Sequence, residues 1–125
     1  MRILLDSHTA LWWLSEPEVI RKETYKQLCN PVNEVFVSSV SIWELGLKVS
    51  RGKLKLPMHF ADLLAAQGIE ELSFSKQHAL TSIELPALHG DPFDRALVAQ
   101  CLEESLTFAT RDGKAREYGI AILEV

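Results

Sequence analysis

The sequence of 125 residues lacks any long apolar run and has only two cysteines. No segment approaches the roughly 20 apolar residues of a membrane span. The apolar N-terminal stretch is interrupted by Asp6, Ser7 and His8 and does not read as a signal peptide, so we expect a cytoplasmic protein with no membrane partner. Cys29 and Cys101 lack metal-ligand spacing, and we predict that both are small buried residues in a reducing compartment.

The sequence also lacks an excess of basic residues, because its net charge is −4. This argues at first against a nucleic-acid partner, but net charge averages over all faces of a protein. Hydrophobic residues make up 47% and charged residues 24%, which predicts one folded domain over residues 1–125. Two groups of basic residues are interpreted as solvated surface charge unless an anion-binding site lies between them. The first group is Lys48, Arg51, Lys53 and Lys55, and the second, more widely spaced, is Arg95, Arg111, Lys114 and Arg116.

Strand-like and helix-like segments alternate along the whole chain. The predicted strands are 2–5, 35–38, 69–74, 107–110 and 120–124. The predicted helices are 8–14, 18–29, 42–49, 57–67, 75–82 and 91–105, with a short one after Asp112, and Asp91 and Pro92 are expected to begin the long sixth helix. This order predicts an α/β fold, a three-layer α/β/α sandwich with a mostly parallel, about five-stranded sheet.

Four carboxylates fall where predicted strands end or helices begin: Asp6, Glu44, Asp94 and Asp112. Helix starts in a parallel sheet share one rim, so these side chains could converge there. Clustered carboxylates repel each other, and a hard divalent cation such as Mg²⁺ removes that cost. Such an ion lowers the pKa of bound water and neutralises charge on a phosphodiester.

Each of these acids also has a purely structural interpretation. Asp6 and Asp112 could cap the helices that follow them, and Asp94 could complement a helix dipole. Glu44 lies three residues after Ser41, which is a capping-box spacing, and four residues before a lysine. Spacing alone therefore leaves both interpretations open.

Four segments together resemble the PIN-domain proteins of the VapC-like toxin group. They are RILLDSHTALWWL, VSIWELGLKVSRGKLKLP, GDPFDRALVAQC and TFATRDGKAREYGI, which cover the chain from residue 2 to about 122. The resemblance implies a parallel sheet with helices on both faces. It also implies a Mg²⁺- or Mn²⁺-dependent endoribonuclease toxin that hydrolyses RNA with a metal-activated water. Homodimers and a cognate antitoxin that blocks the acidic groove are further expectations from the resemblance.

The same resemblance implies roles for individual residues. The catalytic acids would be Asp6, Glu44, Asp94 and Asp112. Of these, Asp6, Asp94 and Asp112 would hold the metal, and Glu44 would complete the shell or act through water. Thr110 and Ser7 would support the site with their hydroxyl groups. From their proximity to the acids, we consider Arg95, Arg111 and Lys114 as phosphate-binding residues, with ordinary surface charge as the alternative.

Histidines and tryptophans offer weaker signals. His8 and His89 lie near the acids, but a surface or loop position is the simpler interpretation of both. Trp12, Trp13 and Trp43 lie on apolar helices, so we predict core packing rather than base stacking. One of the adjacent pair must point away from the core and is a candidate for a dimer or antitoxin contact.

Two other functions compete with the nuclease. A phosphoryl-transfer enzyme with an aspartyl phosphate would show an Asp-x-Asp pattern, whereas the first predicted strand ends in Asp-Ser-His. A non-catalytic PIN-fold binding module would be marked by loss of one or more acids, and all four are present. The nuclease is therefore preferred, and the binding module is kept as the alternative.

Overall fold

A computed structural model describes residues 1–88 and 90–125, so His89 lies outside the described residues. Within them, five strands form an all-parallel sheet in the order β3-β2-β1-β4-β5. The strands are β1 (Arg2–Leu5), β2 (Glu34–Ser38), β3 (Glu70–Leu72), β4 (Thr107–Thr110) and β5 (Ile122–Glu124). The helices are α1 (Ser7–Ser15), α2 (Lys22–Cys29), α3 (Ser39–Ser50), α4 (Phe60–Ala66), α5 (Lys76–Glu84) and α6 (Pro92–Glu104), with 3₁₀ turns at Pro17–Val19 and Gly113–Tyr118.

The sheet is buried on both faces, which explains why its central strand is a continuous apolar run. Ile3, Leu4 and Leu5 of β1 are all fully buried. Ile3 and Leu5 join the apolar cluster formed with α1, α2 and α4, whereas Leu4 joins the opposite cluster formed with α6. The predicted three-layer α/β/α sandwich with a parallel sheet is therefore confirmed.

The bounds of some elements differ from those predicted. The third strand, predicted over 69–74, is confined to Glu70–Leu72 at the sheet edge. The helix predicted over 18–29 is divided because Ile20 adopts an extended backbone and is only 3% exposed. Burying that side chain requires the chain to leave the helical path before α2 begins.

Two predictions of burial are wrong, at Cys29 and Trp43. Cys29 is exposed because α2 buries only Thr24 and Leu28, whereas Cys101 is buried as predicted. Trp43 is 62% exposed because Leu45 faces the core, and two residues on a helix are about 200° apart around its axis. Core packing is confirmed for Trp13, which is 8% exposed. Trp12 is half-buried, so of the two adjacent tryptophans only Trp13 lies fully in the core.

Across residues 1–88 and 90–125, none of the helices is both long and apolar enough to cross a membrane.

Candidate active site

The candidate site lies at the carboxyl rim of the sheet, between β1 and β4. The chain leaves β1 toward β2 on one side, whereas β4 lies on the other side of β1. Such a reversal opens a crevice at the rim, where parallel α/β sheets bind their ligands. Asp6 directly follows β1, and Thr110 is the last residue of β4. The two residues therefore face each other across this crevice.

Asp6 is held by three hydrogen bonds at this rim. Its Oδ1 accepts from the backbone N of Thr9 at 2.7 Å and from Thr9 Oγ1 at 2.8 Å. Its Oδ2 accepts from Thr110 Oγ1 at 2.6 Å. The capping interpretation of Asp6 is therefore confirmed, and the second oxygen bridges to the neighbouring strand. Thr9 was not among the predicted site residues, although its spacing of three residues from Asp6 is typical of a residue that an N-cap side chain contacts.

Glu44 is 9% exposed, and its oxygens meet groups from two helices. Ser7 Oγ, at the start of α1, donates to Glu44 Oε1 at 2.5 Å and lies 3.0 Å from Ser41 Oγ. Lys48 Nζ lies 3.8 Å from Glu44 Oε2, as its spacing of four residues predicted. Ser7, the residue that follows Asp6, thus connects Glu44 to the start of α1.

The alternative interpretation of Ser41 and Glu44 as a capping box is wrong. Ser38 is the N-cap of α3, and its side chain accepts a hydrogen bond from the backbone N of Val40. The helix begins one turn earlier than Ser41, so Ser41 and Glu44 lie on the same inner face of α3. Glu44 therefore does not cap α3. The only sign in the sequence that the two side chains share a face was their spacing of three residues.

Asp112 is connected to the same crevice through Thr110. Thr110 Oγ1 accepts a hydrogen bond from the backbone N of Asp112 at 3.1 Å while it donates to Asp6. Asp112 itself is exposed, and its Oδ1 accepts from the backbone N of Lys114 at 3.0 Å. Its capping role for the 3₁₀ turn is therefore confirmed.

Asp94 is half-buried in the first turn of α6. Asp91 caps this helix by accepting from the backbone N of Phe93 at 2.9 Å, and Pro92 is its first residue, both as predicted. The Trp43 and Phe93 rings are 5.1 Å apart between centroids. Because each ring directly precedes an acid in the chain, this contact brings the start of α6 against the helix that carries Glu44.

The donor set suits a hard cation, although the described residues form no dense metal cage. Among the described residues, no three His, Cys, Asp or Glu side chains are grouped closely enough to hold a metal ion together. Magnesium, however, is commonly bound by one or two carboxylates together with waters and substrate phosphates. The carboxylate oxygens at this rim fit that mode of binding.

The predicted phosphate-binding cations lie in different environments. Arg95 donates from its guanidinium to the carbonyl oxygens of Ser82, Leu85 and Pro86 at 2.8 to 2.9 Å. Arg111 donates to two carbonyl oxygens and lies 4.3 Å from the centroid of the Trp12 ring. Lys114 is exposed. The arginines therefore hold segments of the chain together, and phosphate binding by any of the three stays a prediction.

The chain matches the PIN domain family over residues 3–121. Ribonuclease VapC22 from Mycobacterium tuberculosis is 28% identical over 119 residues, which cover 93% of this chain and 91% of that protein. VapBC2 from Rickettsia felis, solved bound to a promoter DNA fragment, has a TM-score of 0.77 at 18% identity and covers 99% of this chain and 98% of its own.

DNA-bound VapBC from Salmonella typhimurium has a TM-score of 0.73 at 17% identity and covers 99% of this chain and 98% of its own. These structures share the fold of this chain, including its central parallel sheet. With a family match that extends over nearly the whole sequence, this chain belongs to the PIN-domain family.

Proposed function

We propose that this protein is a metal-dependent endoribonuclease that acts as the toxin of a toxin–antitoxin pair. The observation that carries the proposal is the hydrogen bond from Thr110 to Asp6 across the crevice, because it fixes an acid at the ligand-binding rim of the sheet. The similarity to a ribonuclease named VapC22 supports RNA as the substrate.

In this proposal Asp6, Asp94 and Asp112 would hold Mg²⁺ or Mn²⁺, partly through bound waters, because they are not grouped closely enough to enclose the ion alone. Glu44 would complete the shell or act through water. The ion, when bound, supplies an activated water and neutralises charge on the phosphodiester. The protein contributes orientation: Thr110 fixes one oxygen of Asp6, and Ser7 fixes one oxygen of Glu44. Supporting residues of this kind hold reacting groups in a productive geometry.

Partners follow from the same family. The similar VapBC structures support an antitoxin partner for this chain, which would cover the acidic groove. A homodimer and a cytoplasmic location, where the RNA substrate is found, complete the proposal. Mass measurement of the purified chain by light scattering tests the dimer, and a monomer at micromolar concentration would contradict it.

The deciding experiment is cleavage of structured and single-stranded RNAs by the purified protein, freed of co-purifying protein. Reactions contain Mg²⁺, Mn²⁺ or EDTA, and Asp94→Asn is run in parallel. Asp62→Asn is a matched control, because Asp62 lies in the first turn of α4 and is exposed. We expect metal-dependent cleavage that Asp94→Asn abolishes and Asp62→Asn retains.

The alternative function is a non-catalytic PIN-fold binding module. Absence of cleavage together with absence of metal binding, measured by calorimetry with Mn²⁺, would overturn the nuclease and favour this module. Cleavage that persists in EDTA, or equally in Asp94→Asn, would contradict the assigned acids.

A further inference from the structure

An apolar groove opens between α3 and the start of α6. Its volume is about 430 Å³, within the range of small-molecule pockets. Its apolar walls come from α3, α6 and the segment after β3, and the lining includes Val40, Trp43, Phe74, Pro92, Phe93 and Ala96. The metal-holding acids proposed above do not use this groove.

The groove lies directly beside the acidic site. Trp43 precedes Glu44 and Phe93 precedes Asp94, and consecutive Cα atoms are 3.8 Å apart. Each wall of the groove therefore begins one residue from an acid. The two rings that line the groove are therefore chain neighbours of two of the acids, on the same two helices.

The aromatic walls are arranged to receive a flat ring. Trp43 is 62% exposed, and its contact with Phe93 is edge-to-face with an interplanar angle of 67°. More than half of the Trp43 surface is therefore accessible to a ligand. The packing against Phe93 also restricts the Trp43 side chain, which reduces the entropy lost when a base stacks on it.

The groove also contains hydroxyl groups that can contact the edge of a base. Ser39 Oγ accepts a hydrogen bond from the backbone N of Phe74 at 3.1 Å, and a hydroxyl that accepts can still donate. Ser82 lies on the groove wall contributed by α5. An apolar slot with few polar groups is the arrangement by which proteins bind unstacked bases of RNA.

We propose that this groove binds a nucleobase next to the cleaved phosphate, with Trp43 as its stacking platform. The inference rests on the proposed ribonuclease function and adds that the substrate is single-stranded or unstacked at this position. A second copy of this chain is the competing occupant. The size of the groove favours the base, because about 430 Å³ suits one small ring, whereas a second copy would need about 800 Å² of surface on each partner.

The test measures binding rather than cleavage. Trp43→Ala, Trp43→Phe and the matched control Tyr25→Ala, an exposed aromatic residue on α2, are each made in the Asp94→Asn background so that no probe is cut. Fluorescein-labelled oligouridylate and oligoadenylate of 12 nucleotides, and an abasic chain of equal length, are titrated by anisotropy with Mg²⁺. Circular dichroism and light scattering of each variant report the fold and the mass.

We expect Trp43→Ala to weaken binding of the base-containing probes about 5- to 150-fold, the usual range for loss of one stacked base. Trp43→Phe and Tyr25→Ala should bind almost as the parent does, and the abasic chain should bind all variants equally. Unchanged affinity of Trp43→Ala for base-containing RNA would overturn the proposal. A lowered mass with unchanged RNA affinity would overturn it in favour of a second copy.

The two proposals fail in different ways. If the protein cuts RNA but binds it equally well without Trp43, only the proposed base contact is overturned. If the protein cuts no RNA, yet binds bases through Trp43, the nuclease proposal is overturned and the groove remains an RNA-binding site.

Discussion

Single hydroxyl groups carry much of the organisation of this site. Thr110 is 1% exposed, donates to Asp6 and accepts from the backbone of Asp112. Ser7 is 4% exposed and donates to Glu44. Hydrogen bonds to charged groups are stronger than those between neutral partners, and a buried acceptor that loses its donor is costly. Thr110 therefore fixes one oxygen of Asp6, and Ser7 fixes one oxygen of Glu44.

Replacement of Thr110 by valine tests this dependence, because it changes shape little and removes the hydroxyl. We expect Thr110→Val to lower the free energy of unfolding by about 1.5 to 3 kcal/mol and to reduce RNA cleavage. Urea unfolding and initial cleavage rates measure the two effects. Thr110→Ser keeps the hydroxyl and should retain most of both. Equal behaviour of the two variants would show that the hydroxyl is unimportant.

The positions of the acids were more predictable than side-chain exposure. Asp6 follows β1 and Asp94 lies in the first turn of α6, as expected, because strand ends and helix starts are visible in the hydrophobic pattern. The catalytic role of the four acids stays a prediction. The exposure of Trp43 was not predictable, because both faces of α3 carry apolar residues and the sequence does not say which one meets the sheet. The side chains that fix Asp6 and Glu44 depend on contacts 37 to 104 residues apart in sequence, which no local pattern encodes.

At the scale of elements, Arg95 connects the first turn of α6 to the end of α5. Its guanidinium donates to three carbonyl oxygens in and after the last turn of α5. The last carbonyls of a helix have no donor within it, and a planar guanidinium can contact several carbonyls at once. The segment between α5 and α6 is therefore joined to the helix that carries Asp94.

We expect Arg95→Lys to destabilise the protein by about 1 to 3 kcal/mol although it preserves the charge, because an ammonium group cannot reproduce these contacts. Lys114→Gln, at an exposed position, should change stability by less than about 0.5 kcal/mol. Thermal unfolding measures both. If Arg95→Lys leaves stability unchanged and lowers only RNA affinity, the predicted phosphate-binding role is the better description of Arg95.

Element order was predictable from alternation, whereas some element bounds were not. Asp91 and Pro92 start α6 as predicted, because capping and proline placement are local effects. The division of the helix predicted over 18–29 has a tertiary cause, the burial of Ile20 beneath the sheet cluster. The sequence could not show the break at Ile20, since the pattern of polar residues typical of a surface helix continues across that position.

At the scale of the whole molecule, the two cysteines report on folding. Burial raises the pKa of the Cys101 thiol, and the thiolate is the reactive form. Cys29 is exposed on α2. We expect a maleimide to modify Cys29 rapidly in the native protein and Cys101 only after unfolding, as followed by mass spectrometry. Cys29→Ser is the matched control and should remove the rapid phase. Rapid double labelling under native conditions would contradict the buried position of Cys101.

Parallel α/β sheets bind ligands where the strand order reverses, so a metal bound at that point, between β1 and β4, should stabilise the whole fold. A ligand at 100 times its dissociation constant adds about 2.7 kcal/mol to the free energy of unfolding. We therefore expect Mn²⁺ to raise the unfolding midpoint of the wild-type protein in a calorimeter. The best variant for separating this effect from local structure is Asp6→Asn, because asparagine caps a helix about as well as aspartate.

In EDTA, Asp6→Asn should keep the cap on α1 and lose no more stability than Thr110→Val, since both variants break only the hydrogen bond from Thr110 to Oδ2. It should lose most of the stabilisation by Mn²⁺, since the amide lacks the charge that attracts the cation. Asp62→Asn, far along the chain on α4, should respond to Mn²⁺ as the wild-type protein does. Equal stabilisation of all three proteins would mean that the ion binds elsewhere. A large loss of stability for Asp6→Asn in EDTA would mean that its negative charge serves the fold itself, through Thr9 and Thr110, rather than a metal.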